Sequence, residues 1–230
     1  MIKTYHQDRT AQCRSREDNL KTKQITVKLF SVTALTAVLS GLAIANASAA
    51  DAGKLVESCA YCHGKDGAST DPNSPIISGF SVQYLLDSMA AYTGKDRPCP
   101  EFEYPIGPHK GNKTDMCKIA KDLSEDEINA IAEYFAGKPF VAAKQDFDAA
   151  LATKGKEVHE EHCEKCHTGG GSLASDDAGI LAGQWKHYQT ETFKAYISGT
   201  REAPKKMAKK MEKLDDKMIE QLIHYYSSLQ

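Results

Sequence analysis

The chain has 230 residues and a formal net charge of −2. Setting aside the first fifty residues leaves 22 basic and 28 acidic side chains, a net of −6, and this acidic balance argues against a nucleic-acid binder. The 180 residues that remain suit two small domains better than one large one.

Residues 1–50 read as an export signal. Lys21, Lys23 and Lys28 precede an apolar run from Leu29 to Ala45, which is too short and too rich in Ala, Ser and Thr for a membrane span. The run ends in Ala-Asn-Ala-Ser-Ala-Ala, small residues of the kind signal peptidases cut. Cleavage is expected after Ala49 or Ala50, with an uncleaved anchor as the alternative. The basic region is unusually long, consistent with a start codon downstream of Met1. The expected location is the periplasm, with no stable membrane insertion after cleavage.

Residues 52–63 and 154–167 are expected as short helices, each ending on a histidine. Gly64-Lys65-Asp66-Gly67 and Gly169-Gly170-Gly171 follow as loops. Residues 81–92 and 185–197 have helical spacing, with Tyr84, Leu85, Met89 and Tyr92 as an apolar stripe. Residues 124–136 and 215–229 are closing helices, with Ser124 and Asp215 as N-caps and acids in the first turn. Their apolar faces are Ile128, Ile131, Ala132 and Phe135, and Ile219, Leu222, Ile223 and Tyr226. Nothing alternates like a strand, so an all-α protein is expected.

Two of these helices carry the decisive motif. Cys59-Ala-Tyr-Cys62-His63 and Cys163-Glu-Lys-Cys166-His167 are both CxxCH, the signature of covalent haem attachment. Each thiol adds to one vinyl group of the haem, and two intervening residues span those vinyls on one helical turn. The adjoining histidine then lies under the iron as an axial ligand. A thioredoxin-like dithiol or half a zinc site shares the CxxC spacing, but two copies behind an export signal point to two covalently bound haem c groups.

The motifs are 104 residues apart, and the same offset pairs Gly79 with Gly183, Tyr84 with Tyr188 and Tyr92 with Tyr196. Beyond Tyr92 the offset becomes 91, pairing Met116 with Met207, Leu123 with Leu214 and Tyr134-Phe135 with Tyr225-Tyr226. The fold is therefore read as two tandem class I cytochrome c domains, residues 51–138 and 139–230, the first with about thirteen extra residues between Tyr92 and Met116. Such domains usually set a methionine sulfur opposite the histidine. Met116 and Met207 alone occupy matching places, so the iron ligands are read as His63 with Met116 and His167 with Met207. His/Met ligation raises the haem potential and leaves no obvious open site for substrate, so no catalytic residue is assigned.

The second nitrogen of each haem histidine needs a partner. Pro72 or Pro75 can supply a carbonyl in the first domain; Gly179 stands in the place of Pro75 in the second. Cys99 and Cys117 flank the insertion and are read as a disulfide closing it, the alternative being a metal or redox site with His109. Lys205, Lys206, Lys209, Lys210, Lys213 and Lys217 surround Met207, as a face that steers an acidic partner or as a merely solvated one.

The second domain resembles the dihaem cytochrome subunit of flavocytochrome c sulfide dehydrogenase. The resemblance rests on Ala142, Lys144, Gln145, Phe147 and Asp148 in the linker, on Cys163-Glu164-Lys165-Cys166-His167, on Leu181-Ala182-Gly183-Gln184-Trp185, and on Lys205-Lys206-Met207-Ala208. It implies a partner flavoprotein, containing FAD, that oxidises sulfide and passes electrons through the two haems to a downstream acceptor. The Cys99/Cys117 insertion departs from that family. A free-standing dihaem shuttle to a terminal oxidase is the alternative, and a thiosulfate-oxidising enzyme with a labile sixth ligand is a third reading.

Overall fold

A computed structural model describes residues 45–230; the export signal falls almost entirely outside the described residues. Helix α1 (Ala45–His63) carries the first motif to its last residue. A short 3-10 turn, Lys65–Gly67, leads to α2 (Val82–Gly94), α3 (Met116–Lys121) and α4 (Glu125–Ala136). The second domain repeats the order with α5 (Ala149–His162), the single turn α6 (Thr168–Gly171), a 3-10 turn Ala174–Asp176, α7 (Lys186–Ile197), α8 (Lys205–Met211) and α9 (Asp216–Ser228). Among the described residues no helix is long and apolar enough to cross a membrane.

The expected caps are present because acceptor side chains meet the orphan amides of each first turn. Ser124 and Glu127 form a reciprocal capping box on α4, and Asp215 accepts from the Met218 amide at 2.7 Å. The closing helices bury Ile131, Ala132 and Phe135, and Ile219, Leu222, Ile223 and Tyr226. Ile128 remains half-buried. In contrast, α2 buries no residue. The stripe of Tyr84, Leu85, Met89 and Tyr92 is only half-covered by protein.

The helical two-domain class stands, with two local differences. The insertion contains a small antiparallel ribbon, β1 (Phe102–Glu103) with β2 (Lys113–Thr114), so the described fold is mostly rather than wholly helical. Two-residue strands are too short to show alternation; they pair because the disulfide and the intervening turns bring them together. In addition, α5 ends at His162 rather than His167. Cys163 leaves ideal helical geometry at φ −115°, and the Glu164 carboxylate turns back to accept from the Gly169 and Gly170 amides at 3.0 and 3.3 Å. The second motif therefore lies on a turn.

The repeat persists in the backbone hydrogen bonds. Gly67 O accepts from Ile77 and Ser78, and Gly171 O accepts from Leu181 and Ala182. Gly79 N donates to Phe135 O, and Gly183 N donates to Tyr226 O. The second domain is centred on the crossing of α5 and α9, where Val158, Leu222, Tyr225 and Tyr226 form the core. At the crossing, a Cβ on Gly155 would collide with the Gln221 carbonyl. Gly155→Ala is therefore expected to destabilise the second domain by about 3 kcal/mol, at the upper end of ordinary overpacking costs. Calorimetry should show its melting midpoint falling by roughly 10 °C or more.

Candidate functional site

The first motif is held from both sides of His63. Gly64 follows at φ 76°, and a Cβ there would lie 2.6 Å from the Ala68 carbonyl, so the chain can reverse at once only with glycine. His63 Nδ1 bonds to the Pro75 carbonyl at 2.9 Å. A carbonyl can only accept, so Nδ1 carries the proton and the Nε2 lone pair is left for a metal. Burial of the ring favours this neutral form, and the Pro75 carbonyl works the other way.

The two thiols beside it are poor nucleophiles. Burial pushes Cys59 up to about 11, and burial with the Asp71 charge raises Cys62. Dithiol redox centres need the opposite shift. A zinc site is also unsupported: among the described residues, the one cluster of three metal-type donors is Cys99, Asp115 and Cys117. There the two cysteines are joined as a disulfide, with Cα atoms 5.8 Å apart. His109 instead packs against the Tyr104 ring at 5.6 Å, so the disulfide alternative is the one the structure supports.

The second site is built differently. Cys166 and His167 amides donate to the Cys163 carbonyl at 3.0 Å, and Gly169, Gly170 and Gly171 all take positive φ. Glu164 also takes a hydrogen bond from His159 Nε2 at 2.6 Å, while His159 Nδ1 meets the Tyr226 hydroxyl at 2.9 Å. His159 is fully buried. The 104-residue offset places Leu55 at its position in the first domain, so this polar network belongs to the second domain alone. The Gly179 carbonyl lies near enough to His167 to favour its protonation, against the larger effect of burial, yet Nδ1 closes no hydrogen bond of good geometry.

Met116 opens α3, directly beside bridged Cys117, with Asp115 capping the helix by accepting from the Lys118 amide at 2.9 Å. Met207 lies on α8. Both are half-buried. Met218 is committed to the core around Leu222 and Tyr226.

Contacts between the domains escaped the sequence reading. Gln184 bonds the Ile76 backbone twice, accepting from its amide at 3.0 Å and donating to its carbonyl at 2.9 Å. The Trp185 indole donates to Ser69 O at 3.0 Å. Arg97 donates to the Tyr188 hydroxyl at 2.9 Å and lies 4.6 Å over the Tyr92 ring; Arg201 lies 4.4 Å over Tyr196. Arg97 and Arg201 each lie five residues beyond the paired Tyr92 and Tyr196, so the 104-residue register extends to Arg97 before the insertion shifts it, a signal that could have revealed this symmetric arrangement.

Family models agree with the two-domain geometry. Residues 49–137 match "Cytochrome c", and residues 150–225 match "Cytochrome C oxidase, cbb3-type, subunit III". Cytochrome c4 of Stutzerimonas stutzeri is 30% identical over 180 residues, 73% of this chain and 80% of the relative. This chain belongs to the dihaem cytochromes c of the cytochrome c4 family. The crystal structure of reduced recombinant cytochrome c4 from Pseudomonas stutzeri superposes with a TM-score of 0.62 at 26% identity, covering 79% of this chain and 98% of that one. A shorter similarity, 33% over 82 residues, is to a "Thiosulfate dehydrogenase electron acceptor" of Stutzerimonas stutzeri, covering 35% of this chain and 32% of the relative.

As a cytochrome c4 homologue the protein binds two covalent haem c groups. The donor set fits them. The four motif cysteines are free while Cys99 and Cys117 are paired. His63 has one nitrogen satisfied and the other available.

Proposed function

We propose that this protein is a free-standing periplasmic dihaem shuttle that accepts single electrons from one redox partner and delivers them to another, such as a terminal oxidase. The observation that carries this reading is similarity to cytochrome c4 across both domains. When bound, the haems supply reversible one-electron chemistry. Cys59 and Cys62, and Cys163 and Cys166, would anchor them. His63 with Met116, and His167 with Met207, would hold the irons.

The two ends of the molecule differ in access. In the first domain the insertion lies against the motif: a Cβ on Gly107 would sit 2.8 Å from the Tyr61 ring. In the second, Lys165 and Cys166 are exposed, and Lys210 is near enough to Cys163 to favour its thiolate, against the larger effect of burial. Lys210 of α8 thus stands beside an open motif on a helix that also carries Lys205, Lys206 and Lys209, a concentration of positive charge that steers an acidic partner.

A subunit role in some oxidising assembly has a specific observation of its own, the partial similarity to a thiosulfate dehydrogenase electron acceptor. Purification from the native periplasm, without disrupting complexes, separates the two. A shuttle is expected to emerge without flavin, with haem spectra that neither sulfide nor thiosulfate reduces. Co-purifying flavin with sulfide-reducible haems would instead establish the sulfide dehydrogenase subunit. Reduction by thiosulfate would favour a thiosulfate-oxidising assembly.

A further inference from the structure

One peptide group connects the two domains to the first haem histidine. The Pro75 carbonyl that accepts from His63 Nδ1 at 2.9 Å belongs to the same trans peptide as the Ile76 amide, which donates to Gln184 Oε1 at 3.0 Å. The chain of bonds runs from His63 through Pro75 and Ile76 to a side chain 108 residues away in the other domain. Gln184 is 2% exposed and Ile76 1%, so water does not compete for these groups. The second Gln184 bond, to Ile76 O at 2.9 Å, fixes the orientation of the amide. Gln184 is itself anchored by Gln145, which donates to its carbonyl at 2.9 Å.

We propose that Gln184 is a positioning residue for the first haem, tuning the donor strength of His63 across the domain interface. The proposal rests on His63 being an iron ligand. Hydrogen bonds in series polarise one another. Gln184 draws on the Ile76 amide, the Pro75 carbonyl becomes a stronger acceptor, and the His63 ring becomes a more basic ligand. A more basic ligand favours ferric iron, so Gln184 holds the first haem potential down. The device has one direction. At the 104-residue offset the first domain has Phe80 in place of Gln184, and Phe80 stacks on Tyr84 at 4.8 Å. Among the described residues no equivalent side-chain amide bonds the Ile180 backbone.

The test is a spectroelectrochemical titration of the holoprotein, which resolves two one-electron waves. Gln184→Met keeps the volume and removes both bonds to Ile76, together with the one that Oε1 accepts from the Trp185 amide at 3.1 Å. It is expected to raise one wave, changing the reduced-to-oxidised ratio of that haem at fixed potential by about two- to fivefold, while the other wave stays in place. Gln184→Glu retains an acceptor for Ile76, so its wave stays at or below the wild-type position. Trp185→Phe removes the neighbouring bond to Ser69 without touching Ile76, and moves neither wave. The proposal is overturned if Gln184→Met moves both waves equally or neither, or if Trp185→Phe reproduces its effect. A pyridine haemochrome count of one haem c per chain would remove the His63 assignment itself, before any variant is compared.

Discussion

Replacing Met207 with histidine is expected to lower the midpoint potential of one haem by a few tenths of a volt, a large share of the ~0.8 V that axial ligands span. The variant exchanges a thioether for a second imidazole, and two nitrogen ligands stabilise ferric iron more than nitrogen with sulfur. Only the second-domain wave should move. Met207 lies on α8, half-buried among lysines, and is matched by Met116 in the other repeat. Met218 packs against the core cluster, so Met218→Leu should leave both waves in place and lower only stability. Redox titration with optical detection distinguishes these outcomes. A ligand at Met211 would leave both waves unmoved by Met207→His.

Breaking the Cys99–Cys117 bridge is expected to destabilise the first domain strongly. The cysteines are 18 residues apart, and closing a loop of that size restricts the unfolded chain by about 3 kcal/mol. In a domain of this size that corresponds to a fall of roughly 10–20 °C in melting midpoint. The bridge also does local work. Cys117 follows Met116 in the first turn of α3, so the disulfide ties that turn, and the sulfur proposed for the iron, to the far end of the insertion. Calorimetry of Cys99→Ser/Cys117→Ser should show the first-domain transition lowered and the second-domain transition unchanged. Dithiothreitol should reproduce the shift in the wild type and have no effect on the variant. Retention of the Met-ligated spectrum in the folded variant would separate the stabilising role of the bridge from any role in holding the ligand.

The haem chemistry was legible in the sequence because it depends on short spacings. Two thiols and a histidine must be near neighbours to reach one haem, so CxxCH is visible without a fold, and the 104-residue offset exposes the repeat. The caps at Ser124 and Asp215 were legible for the same reason: each acts on amides within one turn. The Cys99–Cys117 pair could be inferred because two cysteines around one insertion have few other partners. Local pattern did not reveal the turn at Cys163, where Glu164 bonds to Gly169 and Gly170. Nor did it reveal the ribbon of Phe102–Glu103 with Lys113–Thr114, whose strands are shorter than any period. The half-covered stripe of α2 shows the limit of periodicity: it marks an apolar face but not what covers it.

The sequence by itself determined the cofactor chemistry, the helical repeat and the matched methionines, since each follows from residues close together or from two copies compared. Tertiary structure alone decided which carbonyl holds His63, which motif is open, and how the domains meet. Those outcomes depend on contacts such as Gln184 with Ile76 and Arg97 with Tyr188, 108 and 91 residues apart. No local propensity encodes such pairs; they form only after both domains have folded and buried the polar groups that then require partners.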